Sequence, residues 1–352
     1  MGKNSINSLG HINRHLKITH QVLRLEQTLI YRQDAHDKRT NKEVLVTRFE
    51  DGLIVKALSG FYYVQPIGEQ SVVACKARGL FKKNNISPLV GDQVKFERKS
   101  HASGEGTVLE LYPRTTALIR PPIANVNTAL IVFSIRQPEL NTMLLDKFLV
   151  HAELAGLESL ICLTKSDLLN QEQEENRILK SHIEHIRSSY EQIGYSVSLT
   201  SVQTGIGIAE LREKLHHRMT VIAGQSGTGK SSLVNKLVPE LKLETNEISL
   251  KLGRGKHTTR HVELYKVGKN GLIADTPGFS QLEFLDVRPE QLSAAFPEML
   301  KFAATCKFRG CSHVNEPGCR VIEALHQGTI VSFRYEHYVS FLTEIRERKR
   351  RY

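Results

Sequence analysis

The run "TVIAGQSGTGKSSLVNKL" (220–237) places Gly224, Gly229, Lys230 and Ser231 at the spacing G-x-x-x-x-G-K-[ST]. Glycines at those positions let backbone N–H groups turn inward around the β- and γ-phosphates of a nucleotide. Lys230 would neutralise the phosphates and Ser231 can ligate Mg²⁺. The cradle runs through Gly224, Gln225, Ser226, Gly227, Thr228, Gly229, Lys230, Ser231 and Ser232, between an apolar strand and an amphipathic helix. Downstream, "NGLIADTPGFS" puts Asp275 at the end of an apolar run, where it would hold Mg²⁺ directly or through water. Gly278 follows, with an N–H for the γ-phosphate.

A second constellation lies near the C-terminus. "CKFRGCSHVNEPGC" gives C-x4-C-x-H-x5-C through Cys306, Cys311, His313 and Cys319, a set that closes a tetrahedral Zn²⁺ site. No open position is left for substrate, so the expected role is structural.

Base choice must come from elsewhere. "LTKSD" matches the N-K-x-D element that reads guanine, with Lys165 and Asp167 intact and Thr164 where Asn is usual. The candidate base contacts are Thr164, Lys165, Ser166 and Asp167. Ser201, in "LTS", is a weaker match to the loop that reads guanine O6. These base elements precede the phosphate loop, whereas a Ras-like domain places them after it. Circular permutation resolves the order, because neighbouring chain ends can be rejoined without changing the packing.

The elements that must position these residues follow from the texture of the chain. At 352 residues, two or three domains are expected. Between 44 and 113, short runs rich in β-branched and aromatic residues alternate with turn signals, Asp51-Gly52 among them, and predict a small OB-fold barrel. Within it, "FYYVQ" offers Phe61 and Tyr63 on one face for base stacking. After the Pro-rich junction "RPPIANVN", strands alternate with helices over 120–285, so a mostly parallel sheet is expected there. A helical unit with the Cys/His cluster and a basic final helix follows over 290–352. Residues 1–43 read as a flexible basic arm. Cys75 and Cys162 fall in strand patterns and read as buried small apolar residues.

Composition narrows the class. A formal charge of +11 points to a polyanion, nucleic acid before membrane. Five cysteines, with no apolar leader and no run long enough to span a bilayer, argue against a disulfide framework and for a cytoplasmic, membrane-free chain.

The motifs "TKSD", "GQSGTGKSS", "GRGKHTT", "DTPG" and the Cys/His cluster, in this order, resemble the circularly permuted ribosome-assembly GTPases of the RsgA (YjeQ) type. The likeness spans about residue 44 to the C-terminus. The resemblance implies an OB-fold, a permuted GTPase domain and a zinc domain. It also implies GTP hydrolysis with Mg²⁺, stimulated by the small (30S) ribosomal subunit during its late maturation, and rRNA, GTP and GDP as partners of a monomer. A Gln that orients water in Ras-like enzymes is replaced by Phe279. The family implies a catalytic role for His257, beside a switch threonine on Mg²⁺, for which Thr259 is favoured over Thr258. Two other readings stand beside this one: a nucleotide-regulated RNA-binding module whose hydrolysis is incidental, and an ATPase, kept open by Thr164.

Overall fold

The computed structural model describes residues 48–98, 105–119, 121–169, 174–241, 262–275, 284 and 287–349, with Asp275 and Lys349 described through their backbone alone. The arm over 1–43 and the residues His257, Thr258, Thr259 and Gly278 lie outside them.

Five strands form the barrel: β1 (Arg48–Leu58), β2 (Phe61–Pro66), β3 (Val73–Ala77), β4 (Gln93–Arg98) and β5 (Gly106–Leu111). β1 pairs antiparallel with both β2 and β4, and the parallel β3–β5 pair completes the ring β1-β2-β3-β5-β4. That is the OB-fold order, with a short helix, α1 (Gly79–Lys83), before β4. Ile54, Val64, Cys75, Val94, Phe96 and Val108 fill its interior.

The turn expected at Asp51-Gly52 does not form: both residues lie inside the eleven-residue β1. Gly52 is needed for closure instead. A Cβ there would stand 2.5 Å from Val64 Cγ1 and 2.8 Å from the Gln65 carbonyl oxygen, so the close approach of β2 leaves room for glycine alone. The aromatic run also departs from strict alternation. Tyr62 and Tyr63 both pack against the core, past an irregularity in the β1–β2 register between Ile54 and Lys56. Phe61 stays half-buried, with Lys76 Nζ 5.0 Å from its ring centre.

A two-residue ribbon, β6 (Ala117–Leu118) with β7 (Ile123–Ala124), occupies the Pro-rich junction. Beyond it come β8 (Thr128–Ser134), β9 (Glu158–Thr164), β10 (Ser196–Leu199), β11 (Met219–Ala223), β12 (Glu263–Val267) and β13 (Gly271–Asp275). They lie in the order β10-β9-β8-β11-β13-β12, all parallel except β12. β8 is buried along its whole length, as a central strand covered on both faces must be. Its covering helices include α2 (Thr142–Leu154) and α3 (Glu174–Ile193) on one side. On the other are α4 (Ile208–Lys214) and α5 (Lys230–Leu237).

The sheet does not stop at β12. Lys56 of β1 pairs with Glu263 in register and through a 2.8 Å ion pair, so the barrel extends the sheet. A second seam joins Ala124 N to the Val90 carbonyl at 2.9 Å, and Asn125 Nδ2 to Gly91 O at 2.9 Å.

The C-terminal unit comprises α6 (Pro289–Leu292), α7 (Pro297–Ala303), α8 (Arg320–His326) and α9 (Ser332–Lys349). Its apolar core takes in Val150 of α2 and Phe284, so it is packed onto the nucleotide domain. No helix among the described residues is long and apolar enough to cross a membrane.

Candidate functional site

In an open parallel sheet, ligands bind beyond the carboxyl ends of the strands, where consecutive strands depart to opposite sides. Here that point lies between β8, whose chain continues outward to β9 and β10, and β11, which leads to β13. Thr164 ends β9, Ser201 follows β10, Gly224 follows β11 and Asp275 ends β13, so all four reach the same edge. Asp275 thereby meets the expected strand-end position; its side chain lies outside the described atoms.

The phosphate loop is shaped by close backbone approach. Gly224 has φ 135°, and a Cβ on it would lie 2.0 Å from the Val132 carbonyl oxygen of β8, so no other residue fits. The loop then turns into α5, whose first residue is Lys230. Lys230 Nζ donates to the Gln225 carbonyl at 2.5 Å, and Thr228 Oγ1 donates to the same oxygen at 2.9 Å. Burial pushes the Lys230 ammonium below its ordinary pKa. An incoming phosphate would oppose that shift by supplying a negative charge beside the ammonium.

Thr164, the departure from the usual Asn, is 2% exposed. Its hydroxyl lies 2.6 Å from the Thr228 carbonyl and 3.2 Å from that of Phe133, both acceptors. The threonine thus ties the base element to the phosphate loop across 64 residues of sequence. Lys165, with φ 62°, sends its ammonium to the carbonyls of Gln137 and Gly227, the latter at 3.3 Å. Its stem therefore spans the gap between the two loops. The Gln137-Pro138 turn is a part of the site the motifs did not reveal. Ser134 Oγ donates to the Pro138 carbonyl at 2.7 Å and holds that turn over the phosphate loop.

Asp167 sits in a 3₁₀ turn, Ser166–Leu169, and its Oδ1 accepts from Ser201 Oγ at 2.6 Å. Ser201 is held in turn by Thr204 N at 3.1 Å, and Ser166 N bonds to the Thr200 carbonyl at 3.1 Å. Two elements 34 residues apart are therefore one unit, a carboxylate aimed by a buried serine. Ser166 Oγ and Gln225 Oε1 are buried without a hydrogen-bond partner, a condition a ligand or water relieves.

The Cys/His residues also converge. Cys306 Sγ lies 3.6 Å from His313 Nδ1 and 3.9 Å from Cys319 Sγ, Cys319 Sγ lies 3.4 Å from His313 Nδ1, and all four ligand atoms fall within 4.8 Å of one another. A tetrahedral ion with bonds of about 2.0–2.3 Å needs ligand atoms roughly 3.3–3.8 Å apart, so the set fits a metal ion. Behind it, Tyr335 and Tyr338 hydroxyls donate to the His313 and Ser312 carbonyls at 2.8 and 2.7 Å. Burial works to raise the Glu316 carboxyl, but donors from Ser312 Oγ and nearby amides hold it at about 2. Cys75 and Cys162 are fully buried as expected, and burial pushes each thiol up to about 12.

A further feature was not read from the sequence. Arg334 of α9 is fully buried, with Nε 2.7 Å from Glu298 Oε1 and Nη2 3.2 Å from Glu298 Oε2. Its Nη1 lies 2.6 Å from Asp146 Oδ1 of α2, near enough for an ion pair though not aligned as a hydrogen bond. Asp146 also accepts from the Tyr190 hydroxyl at 2.6 Å and meets His337 Nδ1 at 2.5 Å. This network rivets the C-terminal unit to α2 and α3. The signal was present: an Asp inside "LLDKFLV" and an Arg inside "SFRYEHYVSFL" are charges set among helix residues that pack.

The comparisons agree with this geometry. The RsgA GTPase family model matches residues 111–285, and that of the RsgA N-terminal domain matches 51–108. The chain belongs to the RsgA GTPase family. As a member it is a GTP hydrolase of the circularly permuted kind. The protein named small ribosomal subunit biogenesis GTPase RsgA of Halalkalibacterium halodurans is 53% identical over 302 residues, 86% of this chain and 99% of that one. Its namesake in Bacillus pumilus is 51% identical over 304 residues, again 86% and 99%. The crystal structure of YloQ, described as a circularly permuted GTPase, matches with a TM-score of 0.72 at 40% identity, covering 89% of this chain and 99% of that one. YjeQ from Thermotoga maritima matches with a TM-score of 0.73 at 35% identity, covering 84% and 98%.

Proposed function

We propose that this chain hydrolyses GTP during late maturation of the small ribosomal subunit, whose rRNA it binds and which stimulates its turnover. The observation that carries the reading is the Thr164–Thr228 hydrogen bond, which joins base and phosphate elements into one site despite their reversed order. The names of the relatives supply the subunit.

In this reading Asp167, aimed by Ser201, accepts from the guanine N1 and exocyclic amine. Lys165 covers the base, and Ser166 and Thr164 shape its loop. Residues Gly224 to Ser232 cradle the phosphates, with Lys230 leaving the Gln225 carbonyl for them. Ser231, Asp275 and Thr259 would hold Mg²⁺, which would supply positive charge to offset the charge that develops on the phosphates. Gly278 donates its N–H to the γ-phosphate, and His257 positions the water that Phe279 cannot. Cys306, Cys311, His313 and Cys319 hold one structural Zn²⁺, worth about 10–16 kcal/mol to a small unit. The working division is 1–43, 44–113, 120–285 and 290–352, in a cytoplasmic monomer.

Lys230→Ala tests the reading against an RNA-binding module with incidental hydrolysis. Turnover should fall on the order of 10²–10³-fold, as when a preorganised charge is removed. The variant should still bind small subunits but fail to leave them after GTP is supplied. Departure at the wild-type rate would hand the case to the rival.

A further inference from the structure

Between Cys306 and Cys311 the chain makes a short loop, Lys307, Phe308, Arg309 and Gly310, exposed throughout. Phe308 leaves 45% of its surface in water. A single exposed aromatic is unremarkable by itself, so the setting decides. Lys307 Nζ stands 5.5 Å from the Phe308 ring centre, and Arg309, also exposed, is the next residue, so an exposed aromatic residue is flanked in sequence by two basic ones. Neither cation is tied up in an ion pair with an acid among the described residues: Glu316 directs both oxygens to Ser312, Val314 and Asn315, and Glu323 pairs with Arg320.

The loop is also fixed at its base. Cys306 N bonds to the Ala303 carbonyl at 3.3 Å, Lys307 N to the Gly318 carbonyl at 3.4 Å, and the sulfurs of Cys306 and Cys311 sit in the four-ligand cluster. A ring presented on a loop anchored at both ends loses little freedom on binding.

We infer that Lys307, Phe308 and Arg309 form a contact for an unpaired nucleotide of RNA. The base stacks on Phe308, and the flanking phosphates meet Lys307 and Arg309. An unpaired base is required because a base within a duplex has both faces covered by its neighbours. This contact rests on the small-subunit reading above and adds to it the residues that touch RNA.

The test uses the full-length, metal-loaded protein, with small subunits, a labelled single-stranded RNA and a hairpin duplex as probes. Phe308→Ala should weaken binding to subunits and to the single strand by about 5- to 150-fold, the range for one base–aromatic stack. Phe308→Trp should restore it and Phe308→Leu should not. Lys307→Gln or Arg309→Gln should each lower the slope of log affinity against log salt by about one. Metal content and thermal midpoint, unchanged in Phe308→Ala, would show that the loop's base is intact. Wild-type binding of both probes by Phe308→Ala would overturn the contact, as would a loss confined to the duplex. A loss for subunits with none for single-stranded RNA would make it a protein contact instead, and overturn it equally. If the wild-type chain ignores small subunits while Phe308 still governs single-strand binding, the functional reading fails and the RNA contact stands.

Discussion

Asp167→Asn should exchange guanine for xanthine as the preferred base. The carboxylate accepts two N–H groups from guanine, and Asn offers one acceptor and one donor. It therefore clashes with one guanine donor and suits the extra carbonyl of xanthine. Ser201 Oγ, 2.6 Å from Asp167 Oδ1, fixes the orientation, so the mismatch is not relieved by rotation at low cost. A buried site built to pair with a substrate group rejects its mismatch by on the order of 10⁴-fold. GTP affinity should fall by that order while XTP gains, read by competition of GTP, XTP and ATP against a fluorescent nucleotide. Unchanged GTP affinity would mean that Asp167 does not read the base. A wild-type chain that prefers ATP would revive the ATPase reading.

Arg334→Met should destabilise the protein by about 3–5 kcal/mol, because it leaves Asp146 and Glu298 buried with no cation between them. Burial opposes the arginine's charge, but the two carboxylates outweigh it and hold its pKa well above the ordinary value. Phe296 adds a ring 4.5 Å from the guanidinium carbon. Urea unfolding of the metal-loaded chain reads the loss. A change under about 1 kcal/mol would show that the network is not what fastens α9 to α2.

That fastening qualifies what permutation alone suggests. The chain runs from the phosphate-sensing segments almost directly into the C-terminal unit, which invites the idea that the unit swings with them. Yet Phe284 is buried against His151 and Phe341, with ring centres 5.1 and 5.2 Å away, and Lys147 pairs with Glu344 at 2.9 Å. Together with Arg334, these contacts fasten α9 to α2 and argue against a free swing of the C-terminal unit. The barrel, by contrast, meets the nucleotide domain partly through β12, the strand that follows the switch segment.

The nucleotide and metal residues were legible because their chemistry dictates spacing within short stretches. Gly224 to Ser231 and the four Cys/His positions need only a local turn, and the reversed order of base and phosphate elements was itself a readable fact. The barrel was legible as texture, but Asp51-Gly52 was misread. A glycine chosen for close approach inside a strand has the same sequence signature as one chosen for a turn. Thr164 was visible as a substitution, while its role required knowing that the Thr228 carbonyl lies opposite. The Arg334 network and the Gln137 contact to Lys165 join residues far apart in sequence, and no local pattern encodes them.

GTP turnover by the purified protein, alone and with small or large ribosomal subunits, tests the central claim most directly. With Phe279 in place of a water-orienting glutamine, the basal rate should be slow, on the order of one turnover in many minutes. Small subunits should raise it strongly and large subunits should not. Equal rates in all three conditions, with RNA binding indifferent to nucleotide, would contradict the account.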